Sequence, residues 1–175
     1  MATIMCTKDL WRSLGGQGTL PVRPDSHPGP AKLGVWGAKS VALPEGLFCV
    51  ALNETTYLTL VFRHSPLPEF LARFAGALMR ELEHLGVPGP VILNELNAAM
   101  GRVQFARHSS RSLLGSINDV AFHLGWALEH EGRANDSTLD RIQHKLNRMP
   151  HVNREMPFPD QATSLLFSGS GCEAA

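Results

Sequence analysis

The most constraining feature of this chain is the stretch from Arg102 to Leu128. Val103 and Phe105 alternate with polar or small neighbours, which is the pattern of a half-buried strand. His108 to Arg111 makes a short polar turn. Leu113, Ile117, Val120, Ala121, Leu124 and Leu128 then recur at helical spacing. A strand feeding such a helix cannot bury its apolar side alone. It needs a sheet beside the strand and a packed layer under the helix. Burial of those helix side chains contributes roughly 1.5 to 3 kcal/mol for each large one, before ordering entropy is subtracted.

The rest of the chain offers the missing parts. Thr3 to Thr7 reads as a first strand, and Thr7 can cap a short helix from Lys8 to Leu14 that Gly15 and Gly16 stop. Leu33 to Leu43, Leu47 to Leu52 and Tyr57 to Phe62 read as three more strands, with Asn53 to Thr56 as the hairpin loop between the last two. Leu71, Phe74, Ala75, Leu78, Leu82 and Leu85 make the buried side of a helix over 68–85, and Val91 to Met100 makes a shorter one. Residues 15–30 are rich in Gly and Pro and read as a mobile loop. Its Gly15, Gly16 and Gly18 precede no helix and no Gly-Lys-Ser/Thr, so a phosphate cradle is not expected.

Composition sets outer limits. The chain has 175 residues, of which 43% are hydrophobic and 18% charged, enough for one domain with a proper core plus extensions. Sixteen Lys and Arg balance sixteen Asp and Glu, so no whole-chain field draws it to nucleic acid or an anionic membrane. Cys6, Cys49 and Cys172 lie far apart, which suits reduced thiols rather than a disulfide framework or zinc knuckle. The first residues lack the apolar core of a signal peptide and no apolar run is long enough for a membrane span, so a cytoplasmic protein is expected.

The segment Arg111-Ser-Leu-Leu-Gly-Ser-Ile-Asn-Asp119 resembles the signature of a bacterial family of domains of unknown function, Asn-Arg-Ser-hydrophobic-Leu-Gly-Ser-Met-Asn-Asp. Thr7-Lys8 after the first strand, Trp36 in the second, and Asn53 to Tyr57 between apolar strands are similar to the same family. The likeness covers about residues 2 to 130 and departs from the family at Ser110, at Ile117 and in the Gly/Pro loop. It implies a fold and carries no activity with it.

Several constellations compete for a functional reading. Ser112, Ser116, Asp119 and His123 fall on one stripe of the last-named helix. A nucleophile–base–acid relay would place His between the other two, and no Gly-x-Ser-x-Gly elbow exists. The simpler reading has Ser112 capping the helix, Gly115 and Ser116 allowing a close helix–strand approach, and Asn118 or Asp119 tying down the turn. Arg102, Arg107, His108 and Arg111 form the densest basic stretch, which could meet a phosphate or guard an edge strand. Glu81-x-x-His84 has ligand spacing but no second copy, so neither a metal nor a cofactor is expected.

Residues 131–175 read as an extension to a 1–130 domain. Asn135 to Ser137 offer caps for a helix with Leu139, Ile142, Leu146 and Met149 on one side. Pro150, Pro157 and Pro159 then predict an extended tail carrying Phe158, Leu165, Leu166 and Phe167. The expectation is an α+β domain with a small antiparallel sheet of four or five strands, and the 68–85 and 112–130 helices on one face. The function expected is a non-catalytic interaction protein. Its contacts would be Leu139, Ile142, Leu146, Phe158, Leu165 and Phe167 together with the 107–112 turn, and its partner another protein or a second copy. A nucleic-acid accessory role through Arg102, Arg107 and Arg111 is the alternative. Hydrolase-like chemistry through Asp119 and His123 comes third.

Overall fold

The structure, a computed structural model, describes residues 1–16, 30–107, 110–151 and 155–169, and the backbone of 19–21. Its strands are β1 (Ala2–Cys6), β2 (Thr19–Pro21), β3 (Val35–Leu43), β4 (Gly46–Asn53), β5 (Thr59–Arg63) and β6 (Arg102–Arg107). Its helices are α1 (Lys8–Ser13), α2 (Glu69–His84), α3 (Gly89–Met100), α4 (Arg111–Glu131), α5 (Asp136–Asn147) and α6 (Pro159–Ser168). The class is α+β. No helix among the described residues is long and apolar enough to cross a membrane.

One sheet runs β2-β6-β1-β3-β4-β5. It is mixed rather than antiparallel. β1 is parallel to both neighbours, pairing Ile4 with Trp36 of β3 and with Phe105 of β6, while β3–β4, β4–β5 and β2–β6 are antiparallel. Parallel neighbours need a crossover, and α1 lies on the path from β1 to β3. The two strand joins that could be read from short loops, β3–β4 and β4–β5, are the antiparallel ones.

The two long helices cover opposite faces of the sheet, not one face. Phe48, Val50, Leu52 and Val61 point to the α4 side, and Cys49, Ala51, Leu60 and Phe62 to the α2 side. Both strands therefore carry unbroken apolar runs, and a strand that is apolar on both sides needs cover on both. The α2 side also holds Ile4, Leu10, Trp36, Phe74 and Phe105, with Trp36 and Phe74 edge to face at 5.1 Å. Burial raises the thiol of Cys6 to about 12 and that of Cys49 well above the usual value, so both are inert fillers of this core.

The C-terminal stretch supplies a helix to each side. α5 adds Leu139, Ile142 and Leu146 to the α4 core, and α6 adds Phe167 to the other. The tail after Pro159 is thus helical rather than extended, because proline suits the first turn of a helix. Two caps set the limits of α4. Ser110, not Ser112, accepts from the backbone N–H of Leu113 at 3.2 Å, and Gly132 closes the other end at φ 70°. Asn135 caps α5 by accepting from Thr138 at 2.8 Å.

Candidate functional site

A groove of about 770 Å³ runs along the polar flank of α4. Ser112, Ser116, Asp119 and His123 line its helix side, as their shared stripe predicts. Tyr57, from the turn between β4 and β5, and Met149, Pro150 and His151, from the end of α5, line the other side, and Val120 and Leu146 are also exposed to it. Of the sequence-predicted site residues, these four are brought together. Arg107 and Arg111 are exposed outside the groove, and His108 lies outside the described residues. Asn118 sits on the β3 side of α4, where its side-chain oxygen accepts from Lys39 Nζ at 2.6 Å.

Tyr57 owes its place to a buried asparagine. Asn53 Oδ1 accepts from the N–H groups of Thr55 (3.1 Å) and Thr56 (2.9 Å) and from the Thr56 hydroxyl (3.2 Å), while Nδ2 donates to the Val35 carbonyl at 3.0 Å. The Tyr57 N–H closes the turn on the Asn53 carbonyl at 3.1 Å. Tyr57 is thereby held at φ 62°, a left-handed conformation that costs a side-chain-bearing residue about 1 to 2 kcal/mol. Its ring meets that of His151 edge to face at 4.9 Å.

Ser116 Oγ donates back to the Ser112 carbonyl at 3.4 Å, and no hydrogen bond joins Ser116, Asp119 and His123 among the described residues. Nor are three His, Cys, Asp or Glu side chains grouped there, or elsewhere among the described residues, so as to hold a metal.

Beside the groove rises an aromatic ridge that the sequence reading missed. Phe122 is 73% exposed and Trp126, one turn on, is 59% exposed. Phe122 stands edge to face with His123 at 5.7 Å. Trp126 lies against the ring of His130 at 4.2 Å, and His130 Nδ1 is bonded to the Trp126 carbonyl at 2.7 Å. The signal was available, since both aromatics fall opposite the buried stripe of an amphipathic helix. Tyr57 and His151 were not findable that way, being brought in by a turn and a helix end remote in sequence.

Gly115 changes meaning in the structure. A Cβ added there would meet nothing within 4 Å, so it does not serve a close approach to the sheet. That role belongs to Gly125, where an added Cβ would come within 3.2 Å of Leu43 Cδ2. A glycine inside a helix costs about 0.5 to 1 kcal/mol relative to alanine. Gly115→Ala is accordingly expected to raise stability by about that amount in urea unfolding, and a loss of stability would show a packing role for the glycine.

The other predicted contacts are dispersed. Leu139, Ile142, Leu146 and Phe167 are buried in the chain's own cores, Phe158 is half-buried, and of the predicted tail contacts only Leu165 is freely exposed. Arg102 and Arg107 sit at opposite ends of β6, about 17 Å apart, and an odd separation puts them on opposite faces of the sheet. Arg102 is therefore set apart from Arg107.

Residues 3–162 match the model of a domain of unknown function (DUF6933). The chain belongs to that family. The match extends past the 2–130 span of the resemblance read from sequence and takes in α5, whose apolar side completes the α4 core. The family thus covers all the elements that build the groove. No curated protein matches the chain.

Proposed function

We propose that this is a non-catalytic protein-interaction domain of a bacterial cytoplasm, and that it presents the outer face of α4 to its partner. One observation carries the reading: Phe122 and Trp126, exposed at 73% and 59%, stand one turn apart on a rigid, doubly capped helix. Large aromatics are the residues that most often anchor protein interfaces, and here Phe122 also lines a groove with polar groups. The C-terminal stretch is less suited to the role expected of it, because Leu139, Ile142, Leu146 and Phe167 are already buried in the chain's own cores. Two buried, unpaired thiols, Cys6 and Cys49, suit a reducing compartment.

The test compares the full chain with a Phe122→Ser, Trp126→Ser double variant. Neither side chain belongs to either core, so stability should stay within about 0.5 kcal/mol. A partner recovered in stoichiometric amount with the unaltered protein, then purified, should bind the double variant at least about thirtyfold more weakly. Equal binding by the two proteins would sink the reading.

A further inference from the structure

The chemistry of the groove says what kind of segment it fits. Among the described residues that line it the titratable side chains other than Tyr57 are one acid, Asp119, and two histidines, His123 and His151, with no lysine, arginine or glutamate. Asp119 is exposed, and it makes no ion pair or hydrogen bond among the described residues. Val120, Leu146 and Met149 give the lining apolar surface, Tyr57 is buried beneath it, and Phe122 is an exposed ring of the lining.

We propose that the groove receives an arginine or lysine side chain from an extended segment of the partner protein, with Asp119 as its counter-ion. The assignment rests on the α4 face being the partner surface, and adds the charge of what docks there. An aliphatic stem packs on the apolar surface while its cationic head reaches the carboxylate, the usual division of a long basic side chain. The exposed ring of Phe122 adds attraction for the same charge. An acidic segment would meet Asp119 with like-charge repulsion. A purely apolar one would cover the carboxylate and leave it unpaired, which costs free energy. Charge complementarity therefore selects the cation.

Two further features fix where the cation sits. Arg111 and the positive end of the helix lie two turns from Asp119, about 12 Å away, and push a cation toward the Asp119–His123 end of the groove. Gly115 is one turn from Asp119 on the same stripe, with nothing within 4 Å of where a Cβ would be. It leaves room for the backbone of an incoming segment.

The test is a nuclear magnetic resonance titration of the full chain with short capped peptides. They share leucine and alanine flanks and differ only at the centre, which is arginine, its neutral isostere citrulline, or glutamate. The arginine peptide should shift the Asp119 and His123 amides and the Trp126 indole. Citrulline should bind about three- to tenfold more weakly, and glutamate more weakly still. In Asp119→Asn, an isosteric change at an exposed and unpaired site, the arginine and citrulline peptides should bind alike. Equal binding of arginine and citrulline by the unaltered protein, or an arginine preference that survives Asp119→Asn, overturns the charge assignment and leaves the α4 surface standing. If no peptide shifts any α4 signal at millimolar concentration, the surface and the charge assignment both fall.

Discussion

Replacing Asn147 by leucine is expected to lower stability by about 2 to 5 kcal/mol, the largest loss foreseen for a single polar residue of this chain. β5 is the edge strand of the sheet, so one side of its backbone has no strand partner. Asn147 supplies one. Its Oδ1 accepts from the Thr59 N–H at 2.7 Å and its Nδ2 donates to the Thr59 carbonyl at 3.0 Å, the exchange a neighbouring strand would make. One turn earlier, Gln143 Oε1 accepts from the Val61 N–H at 2.8 Å. Two amides four residues apart on α5 thus meet alternate residues of the strand. Leucine matches asparagine roughly in size but leaves two buried backbone groups unsatisfied. Urea unfolding would give the loss, and hydrogen exchange at the Thr59 amide would locate it. If Thr59 stays protected, the side chain is not the partner of the strand edge.

Gln143 extends the same device to a third element. Its Nε2 donates to Glu81 Oε2 at 2.8 Å, so a buried carboxylate of α2 is tied through it to β5. The other Glu81 oxygen lies 3.6 Å from His144 Nδ1, and the His144 ring lies tilted against His84 with ring centres 3.5 Å apart. α5 is therefore held by polar groups on one flank and by Leu139, Ile142 and Leu146 on the other. It covers a sheet edge that would otherwise invite pairing with another chain.

The parts of this fold that could be read from sequence are those set by local period. The α4 stripe lies in the core as expected, with Leu113, Ile117, Val120, Ala121, Leu124 and Leu128 all buried. β3, β4 and β5 declare themselves by composition, and the antiparallel joins follow from short loops. Strand order does not, because nothing local in Thr3 to Thr7 says that β1 will sit between β3 and β6. Bonds that span 82 to 88 residues, such as those of Gln143 and Asn147, leave only a faint trace. They appear as amides beside Ile142 and Leu146, on a side of the helix where apolar residues belong. Half of the candidate site was legible for the same reason. Ser112, Ser116, Asp119 and His123 share a helix and so share a stripe. The facing wall, Tyr57 and His151, depends on how a hairpin turn and a helix end meet.

That wall yields the second large effect. Asn53→Ala is expected to cost about 2 to 4 kcal/mol, and in a domain of this size to lower the melting temperature by about 5 to 15 °C. Four side-chain hydrogen bonds disappear together, and Asn53 is fully buried, so water does not replace them readily. The Val35 carbonyl keeps the Glu54 N–H at 2.9 Å, whereas the Thr56 N–H and O–H lose the acceptor they share, the hydroxyl oxygen still accepting from the Leu58 N–H at 3.2 Å. That difference places the damage in the turn rather than in β3. The left-handed Tyr57 then has no framework to hold it. A tyrosine released from φ 62° gains about 1 to 2 kcal/mol by relaxing, and its ring leaves the groove. Two readings of the turn separate here. If it serves the fold alone, Tyr57→Gly removes the strain and loses only the packing of one ring. If it also serves the groove, Tyr57→Gly weakens the arginine peptide while Asp119 keeps its preference for charge. Calorimetry on Asn53→Ala, paired with the peptide titration on Tyr57→Gly, measures the two roles separately. A melting temperature unchanged by Asn53→Ala would mean that the turn is held by its backbone bonds, and that Tyr57 is not positioned by this asparagine.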